Sequence, residues 1–198
     1  MGNTKSWTVN NVITTVLLSL LIIVVQVMAN IGGAINDFVG MVLSTPIGAI
    51  VAGPIYMLMI SRVKKRFVTA VLMILNGIMF TLLSNWTMLV LFSVAAVVCE
   101  AILWNDGWNS IRKITVSWMV AAVMYAGRNF VPVWFFWDTY QVFIADAGGQ
   151  EMVDAMTRYF ADPIWVTIII VLSAAGGFVG SLIGARLLSK HFSKAGVL

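Results

Sequence analysis

The chain has 198 residues, of which 61% are hydrophobic and only 10% are charged. Soluble domains have about 25% charged residues, so this composition excludes an ordinary soluble fold and predicts an all-α membrane protein. Six spans of about 20 residues with short loops would occupy nearly the whole length, which leaves no room for a soluble catalytic domain. The net charge of +4 is explained by basic loops on one membrane face, so we expect no nucleic-acid partner.

Apolar segments predict six transmembrane helices in chain order. We place them at roughly residues 9–29, 40–60, 67–83, 86–104, 114–136 and 163–188. Pro46 and Pro54 should bend the second span or break it into two pieces. Ser84 and Asn85 should form the tight turn between the third span and the fourth.

Charged residues alternate between the two ends of these spans. Basic residues fall before the first span, after the second, after the fourth and after the sixth: Lys5; Arg62, Lys64, Lys65 and Arg66; Arg112 and Lys113; Arg186, Lys190 and Lys194. Acidic residues fall mainly in the other connections: Asp37, Asp138, Asp146, Glu151, Asp154 and Asp162. Because cytoplasmic loops accumulate Lys and Arg, we predict a multi-pass protein of the cell membrane with both termini in the cytoplasm.

The longest predicted outer segment lies between the fifth and sixth spans. Gly148 and Gly149 should interrupt the chain there. The apolar residues that follow recur at intervals of three and four: Met152, Ala155, Met156 and Tyr159. This spacing predicts an amphipathic helix over residues 151–160 on the outer surface. Such a helix could merely link two spans, or it could cover a pocket that opens outward.

Residues typical of catalytic centres are scarce in this sequence. The only histidine, His191, falls in the predicted inner tail, and the single Cys99 falls inside an apolar run. Triads and histidine or cysteine metal clusters are therefore not expected. The sequence has no phosphate-binding loop followed by Lys and Ser or Thr. We predict a protein that is not an enzyme and has no metal site and no intrinsic cofactor.

Arg128 and Glu100 fall within predicted spans, where ionisable side chains are candidates for function. Glu100 lies near the inner end of its span and could simply pair with Arg112 or Lys113. Arg128 precedes Asn129 and a run of aromatic residues, which could be an interfacial belt or a pocket for an apolar molecule with a carboxylate. For that pocket, open to the outer face, we predict these ligand-binding residues: Tyr125, Arg128, Asn129, Trp134, Trp137, Tyr140, Arg158 and Tyr159.

Small residues repeat every four positions in the sixth span, at Gly176, Gly180 and Gly184. Such a glycine stripe allows another helix to approach closely. The other helix could belong to this chain, since six helices must pack together in any case. It could also belong to a separate membrane subunit that docks there.

Several segments resemble the Trep_Strep, or MptD-like, family: residues 53–58 (GPIYML) with 62–65 (RVKK), residues 131–136 (VPVWFF) and residues 184–196 (GARLLSKHFSKAG). Members are substrate-binding S components of energy-coupling factor (ECF) transporters, and the resemblance extends over essentially the whole chain. It implies six helices, an outward-facing micronutrient site, a coupling transmembrane subunit and two ATPase subunits as partners. Where many S components meet the coupling subunit through an Ala-xxx-Ala pattern, the first span here has Thr15 and Ser19.

The resemblance implies a transported ligand but leaves its identity open. Haem is slightly favoured, with Arg128 or Arg158 meeting its propionates and a tyrosine or methionine facing the iron. A smaller aromatic carboxylate or vitamin is equally compatible with the residues. Two other functions remain as alternatives, a non-transporting scaffold and a stand-alone secondary transporter. A secondary transporter would normally have polar residues deep in two repeated halves, whereas Gln26 and Asn76 are the main deep polar residues here.

Overall fold

The computed structural model describes residues 6–32, 35–83 and 86–192. Within these ranges the chain forms seven α-helices and no strand: α1 Val9–Gly32, α2 Ser44–Val63, α3 Val68–Leu83, α4 Thr87–Ile102, α5 Ile111–Phe135, α6 Trp137–Met156 and α7 Pro163–Phe192. A π-helical turn, Val39–Leu43, leads into α2, and a second one, Thr157–Ala161, follows α6. Lys5, Lys194 and the predicted turn at Ser84 and Asn85 lie outside the described residues.

The helices differ in whether they are long and apolar enough to cross a membrane. Three described segments are long and apolar enough to cross a bilayer: Val9–Ile31, Val39–Val63 and Pro163–Lys190. A fourth is obtained if α5 and the segment Trp137–Ala161, which are bent by 115° relative to each other, count as one broken span. Helices α3 and α4 have 16 residues each, or about 24 Å at 1.5 Å per residue, less than the ~30 Å hydrocarbon core. The described chain therefore has three to four candidate spans by this measure, against the six predicted.

Six of the seven helices pack side by side in a closed ring. Their order around the ring is α1, α2, α7, α5, α4 and α3, and α3 contacts α1. Helix α2 also contacts α5 across the ring. Large buried side chains fill the centre, among them Tyr56, Phe92, Trp118 and Tyr125. Although α1 and α5 are not neighbours in this ring, Arg128 on α5 reaches Asn30 near the end of α1.

Helix α2 is continuous through Pro54, so of the two outcomes predicted for the second span, a bend or a break, the break does not occur at that residue. Pro54 cannot donate a hydrogen bond to the carbonyl of Ile50, but contacts on both sides of it hold the helix in place. The Trp118 indole Nε1 donates to the carbonyl of Ala49 at 3.0 Å. Tyr56 stacks on the Trp118 ring at 4.7 Å between centroids. Pro46 lies in the first turn of α2, where the missing N–H group costs little.

The glycine stripe of α7 packs on α2 inside this chain. A Cβ atom at Gly176 would lie 2.5 Å from the carbonyl oxygen of Pro46, and one at Gly180 would lie 2.5 Å from that of Ala49. A Cβ atom at Gly184 would lie 2.8 Å from Cα of Pro54. Packing within the chain, one of the two readings of the sequence, therefore accounts for the stripe, and its surface is not free for a partner helix.

Thr15 and Ser19 are also inside the bundle and not on a free face of α1. Both are fully buried. The Thr15 hydroxyl donates to the carbonyl of Asn11 at 2.8 Å, and the Ser19 hydroxyl lies 3.6 Å from Sδ of Met59 on α2. The residues predicted to dock a coupling subunit on α1 and α7 thus serve contacts within this chain.

Glu100 caps the amino end of α3 and does not pair with Arg112 or Lys113, which corrects the pairing considered from the sequence. Its carboxylate accepts hydrogen bonds from the backbone N–H groups of Phe67, Thr69 and Ala70 at 2.9, 3.0 and 3.1 Å. The first N–H groups of a helix have no partner within the helix, and the helix dipole favours an anion there. Glu100 satisfies both requirements, so its place inside a predicted span has a structural reason.

Candidate functional site

A cavity of about 520 Å³ lies at the end of the bundle where α1 ends, α2 begins and α5 meets α6. We call it the Arg128 cavity. Its walls come from four parts of the chain: Asn30 on α1; Asn36, Asp37, Gly40 and Met41 before α2; Arg128 and Asn129 on α5; and Gly148, Glu151, Met152 and Met156 on α6. A volume of this size is within the ~300–1,000 Å³ typical of small-molecule sites.

Arg128 is held by contacts with α1 and α3. Its Nη2 atom donates to Oδ1 of Asn30 at 2.5 Å, and its guanidinium carbon lies 4.5 Å from the centroid of the Phe80 ring. Its Nε atom is buried and has no hydrogen-bond partner among the described residues. The side chain is thus oriented by an amide and an aromatic face, and no carboxylate of the described chain neutralises its charge.

Asn30 is itself held in place from two sides, which fixes the oxygen that Arg128 contacts. Its Nδ2 atom donates to the carbonyl of Gln26 at 2.6 Å, one turn earlier on α1. Its Oδ1 atom also lies 3.3 Å from the Ser44 hydroxyl, whose single proton is shared with the carbonyl of Gly40 at 2.6 Å. Two helices therefore set the position of the amide before any ligand is bound.

Helix α6 forms the remaining wall and has a sharp break in the middle. Gly149 has φ 72° and ψ −176°, a conformation essentially restricted to glycine. The predicted interruption at Gly148 and Gly149 and the helix over residues 151–160 are both confirmed, with the last turn π-helical. The sequence reading missed the first half of α6, because it treated residues 137–148 as a loop.

The buried face of this amphipathic segment matches the predicted stripe in most positions. Ala155, Met156 and Tyr159 are buried, whereas Met152 is partly exposed and lines the Arg128 cavity. Trp134 near the end of α5 donates from its indole Nε1 to the carbonyl of Phe160 at 2.6 Å. This bond ties the segment to α5, so the wall has a defined position.

The structure brings two of the predicted ligand-binding residues, Arg128 and Asn129, into the cavity wall. Tyr125 lies in the buried core, edge-on to the Phe92 ring with 5.3 Å between centroids. Tyr159 is buried against Trp165 at 5.1 Å, and Arg158 is exposed.

The predicted aromatic ring around Arg128 is therefore mostly structural. Trp137 and Tyr140 pack beside a core cluster that contains Val42, Ala126 and Phe160. The Trp134 indole donates the hydrogen bond to the carbonyl of Phe160 described above. None of these three side chains lines the cavity, so a flat ligand would meet no stacked aromatic wall within the described lining.

Besides Glu151, Met152 and Met156 of the predicted covering helix, the cavity has six lining residues that the sequence reading missed: Asn30, Asn36, Asp37, Gly40, Met41 and Gly148. A signal was present, since two asparagines and an aspartate follow a long apolar run within eight residues. Nothing in the pattern showed that this polar segment would face Arg128. That juxtaposition arises at the end of the bundle, where Arg128 on α5 reaches Asn30 on α1.

The Arg128 cavity combines one cationic side chain, two carboxylates, three asparagine-type amides and three thioethers. The described residues contain no group of three or more His, Cys, Asp or Glu side chains that could hold a metal ion. The arrangement can bind and orient a small polar molecule by charge and hydrogen bonding. It offers no nucleophile paired with a base among the lining residues.

A protein-family model described as "Hypothetical bacterial integral membrane protein (Trep_Strep)" matches residues 9–194. No curated protein matches the chain, and no solved structure does. The family description agrees with the apolar helices that can span a membrane.

Proposed function

This chain belongs to the Trep_Strep family of bacterial integral membrane proteins, and from that premise we propose that it is the substrate-binding membrane subunit of an ATP-driven importer of the ECF type. The observation that supports the proposal most directly is the Arg128 cavity. It is a preformed site lined by charged, amide and thioether side chains at one end of the helix ring. The absence of a nucleotide-binding motif in the sequence means that ATP hydrolysis belongs to partners, namely two ATPase subunits and a coupling transmembrane subunit.

The proposal includes a six-span topology with both termini in the cytoplasm and the cavity open to the outside. Basic residues collect at the end of the bundle opposite the cavity. There Arg66 lies over the Trp104 ring at 4.5 Å, and the Lys113 ammonium donates to the carbonyl of Trp104 at 3.1 Å. Because positive charge marks the cytoplasmic side, the end with Asp37, Arg128 and Glu151 is the outer one. Helices α3 and α4 then cross as a short pair, with local thinning of the bilayer around them.

The transported ligand has an acidic group that meets Arg128. Haem is one candidate, since Arg128 can face a propionate and Met41, Met152 and Met156 provide thioethers for the iron. A smaller vitamin-like aromatic carboxylate is the other. Its ring would lie against the methionine side chains, which make favourable contacts with aromatic rings.

The test of this function is affinity purification from membranes followed by reconstitution. We expect the chain to copurify with a coupling membrane protein and two ATPases, and liposomes with the whole complex to accumulate ligand only when ATP is supplied. The chain alone should bind ligand without concentrating it. If the chain alone accumulates ligand in an ion gradient, it is a secondary transporter. If it binds no small molecule, the remaining function is that of a membrane scaffold.

A further inference from the structure

The walls of the Arg128 cavity contain charges of both signs. Arg128 projects from α5, whereas Asp37 precedes α2 and Glu151 follows the break in α6. The three lining charges sum to −1 if both carboxylates are ionised. A ligand that fits these walls must therefore satisfy more than a single arginine.

None of the three side chains is paired with another charged side chain among the described residues. Arg128 contacts the amide of Asn30 and the ring of Phe80, and its buried Nε atom has no partner in the described chain. Asp37 and Glu151 are exposed residues of the cavity lining and form no ion pair within the described ranges. Asp154, an exposed acid of α6 outside the cavity lining, accepts a hydrogen bond from the neutral Gln150 at 2.9 Å.

The wall formed by α1 has a further source of negative potential. Helix α1 ends at Gly32, two residues beyond Asn30, and its last turn has no basic residue. The carbonyl end of a helix has a partial negative charge that favours cations. Arg128 already lies beside this end through its hydrogen bond to Asn30, so Asp37 and Glu151 are the lining groups left for a cationic group of the ligand.

Resting on the function proposed above, we propose that the ligand is a small zwitterion. Its acidic group pairs with Arg128, and its ammonium or other cationic group lies towards Asp37 and Glu151. A ligand with acidic groups alone, such as haem with its two propionates, would leave two carboxylates facing an anion. Like charges placed together in this way reduce affinity and discriminate against the wrong ligand.

Three matched probes test the charge requirement directly: phenylalanine, 3-phenylpropionate and 2-phenylethylamine. They share one phenyl ring, which suits a wall with Met41, Met152 and Met156, but have both charges, the acid only or the amine only. In calorimetric titrations of the purified full chain, phenylalanine should bind at least about tenfold more tightly than either single-charge probe. Equal or tighter binding of 3-phenylpropionate, or no binding of phenylalanine up to its solubility limit, would overturn the proposal.

Charge-neutralising variants identify which wall meets which group. Asp37→Asn combined with Glu151→Gln should weaken phenylalanine binding to the level of 3-phenylpropionate, and should leave 3-phenylpropionate binding unchanged or tighter. Arg128→Gln should weaken binding of both acids but not that of 2-phenylethylamine. Asp154→Asn, an exposed acid of the same helix outside the cavity lining, is the matched control and should change none of the affinities.

The same measurements separate failure of the inference from failure of the function. If the chain copurifies with a coupling subunit and two ATPases but the retained ligand is purely anionic by mass spectrometry, the zwitterion inference is wrong and the transport function stands. If the probes show the expected charge order but no ATPase partner is found, the zwitterion site stands and the importer assignment is wrong.

Discussion

Arg128 is the residue on which the candidate site depends most. An arginine within an apolar helix is costly unless it serves a function or is well paired. Here an amide oxygen and a phenyl ring hold it, and one buried nitrogen has no partner among the described residues. Pro132, one turn later on α5, cannot donate to the carbonyl of Arg128, so the backbone at this position also has unused hydrogen-bonding capacity.

We expect Arg128→Ala to weaken binding of the retained acidic ligand by roughly thirtyfold or more. Loss of an arginine that pairs with a desolvated carboxylate costs roughly 2–5 kcal/mol, and 2 kcal/mol already corresponds to about thirtyfold. Arg128→Lys should recover only part of the loss, because a lysine cannot make the two-pronged contact. The measurement is calorimetric titration of the purified variants with phenylalanine.

Arg158→Ala provides the control for this experiment. Arg158 is an exposed arginine outside the cavity lining, so its removal should leave the affinity unchanged. If a well-folded Arg128→Ala protein keeps its full affinity, Arg128 is not part of the site and the neighbouring aromatic residues form an interfacial belt.

Glu100 is a second residue whose role follows from its contacts. Glu100→Ala should lower the free energy of unfolding by about 1–3 kcal/mol, because three N–H groups at the start of α3 lose their charged acceptor. Thermal unfolding in detergent measures the effect. Asp146→Ala, which removes an exposed acid from α6, should have little effect. Equal stability of the two variants would show that water replaces the cap without cost.

At the scale of helices, the packing of α7 on α2 determines the shape of the bundle. The glycine stripe lets the backbones approach so closely that Cβ atoms would overlap carbonyl oxygens of α2. Gly53 of α2 meets the backbone of Gly180 in the same way. Because both contact surfaces are backbone, neither helix can relax by moving a side chain.

Gly180→Leu should therefore destabilise the protein by a few kcal/mol, since the added side chain forces the two helices apart. We expect the thermal midpoint and ligand binding to fall together, and size-exclusion chromatography should show loss of the monodisperse species. Val179→Leu, at a neighbouring exposed position of α7, should be tolerated. A folded, ligand-binding Gly180→Leu protein that only fails to copurify with a coupling subunit would contradict packing within the chain.

At the scale of the whole molecule, the closed ring of helices decides which polar segments meet. It lets Arg128 on α5 reach Asn30 on α1, and it places the start of α3 beside Glu100 on α4. The ring also separates a basic end from the end with the Arg128 cavity. Helix lengths alone leave three to four spans, so the crossing of α3 and α4 requires an independent test.

Labelling of single cysteines with an impermeant thiol reagent in intact cells tests the six-span topology. With buried Cys99 replaced by Ala, cysteines at Trp86, Asp146 and Asp154 should react, whereas cysteines at Lys65 and Lys113 should react only after permeabilisation. Trp86 is the decisive position, because it lies between α3 and α4 and is exposed. Protection of a Trp86 cysteine would indicate that α3 and α4 form a re-entrant pair whose connecting turn does not reach the outer surface.

The sequence by itself determined the helical class, the membrane environment, the amphipathic segment after Gly149 and the candidacy of Arg128 and Asn129. These properties depend on local composition, on helical periodicity and on the backbone freedom of glycine. Only the tertiary structure decided that Asn30 and Asp37 face Arg128, that Glu100 caps α3 and that the glycine stripe packs on α2. The physical reason is that each of these contacts joins segments distant in the chain. Their meeting depends on the order in which the helices pack, and no local pattern records that order.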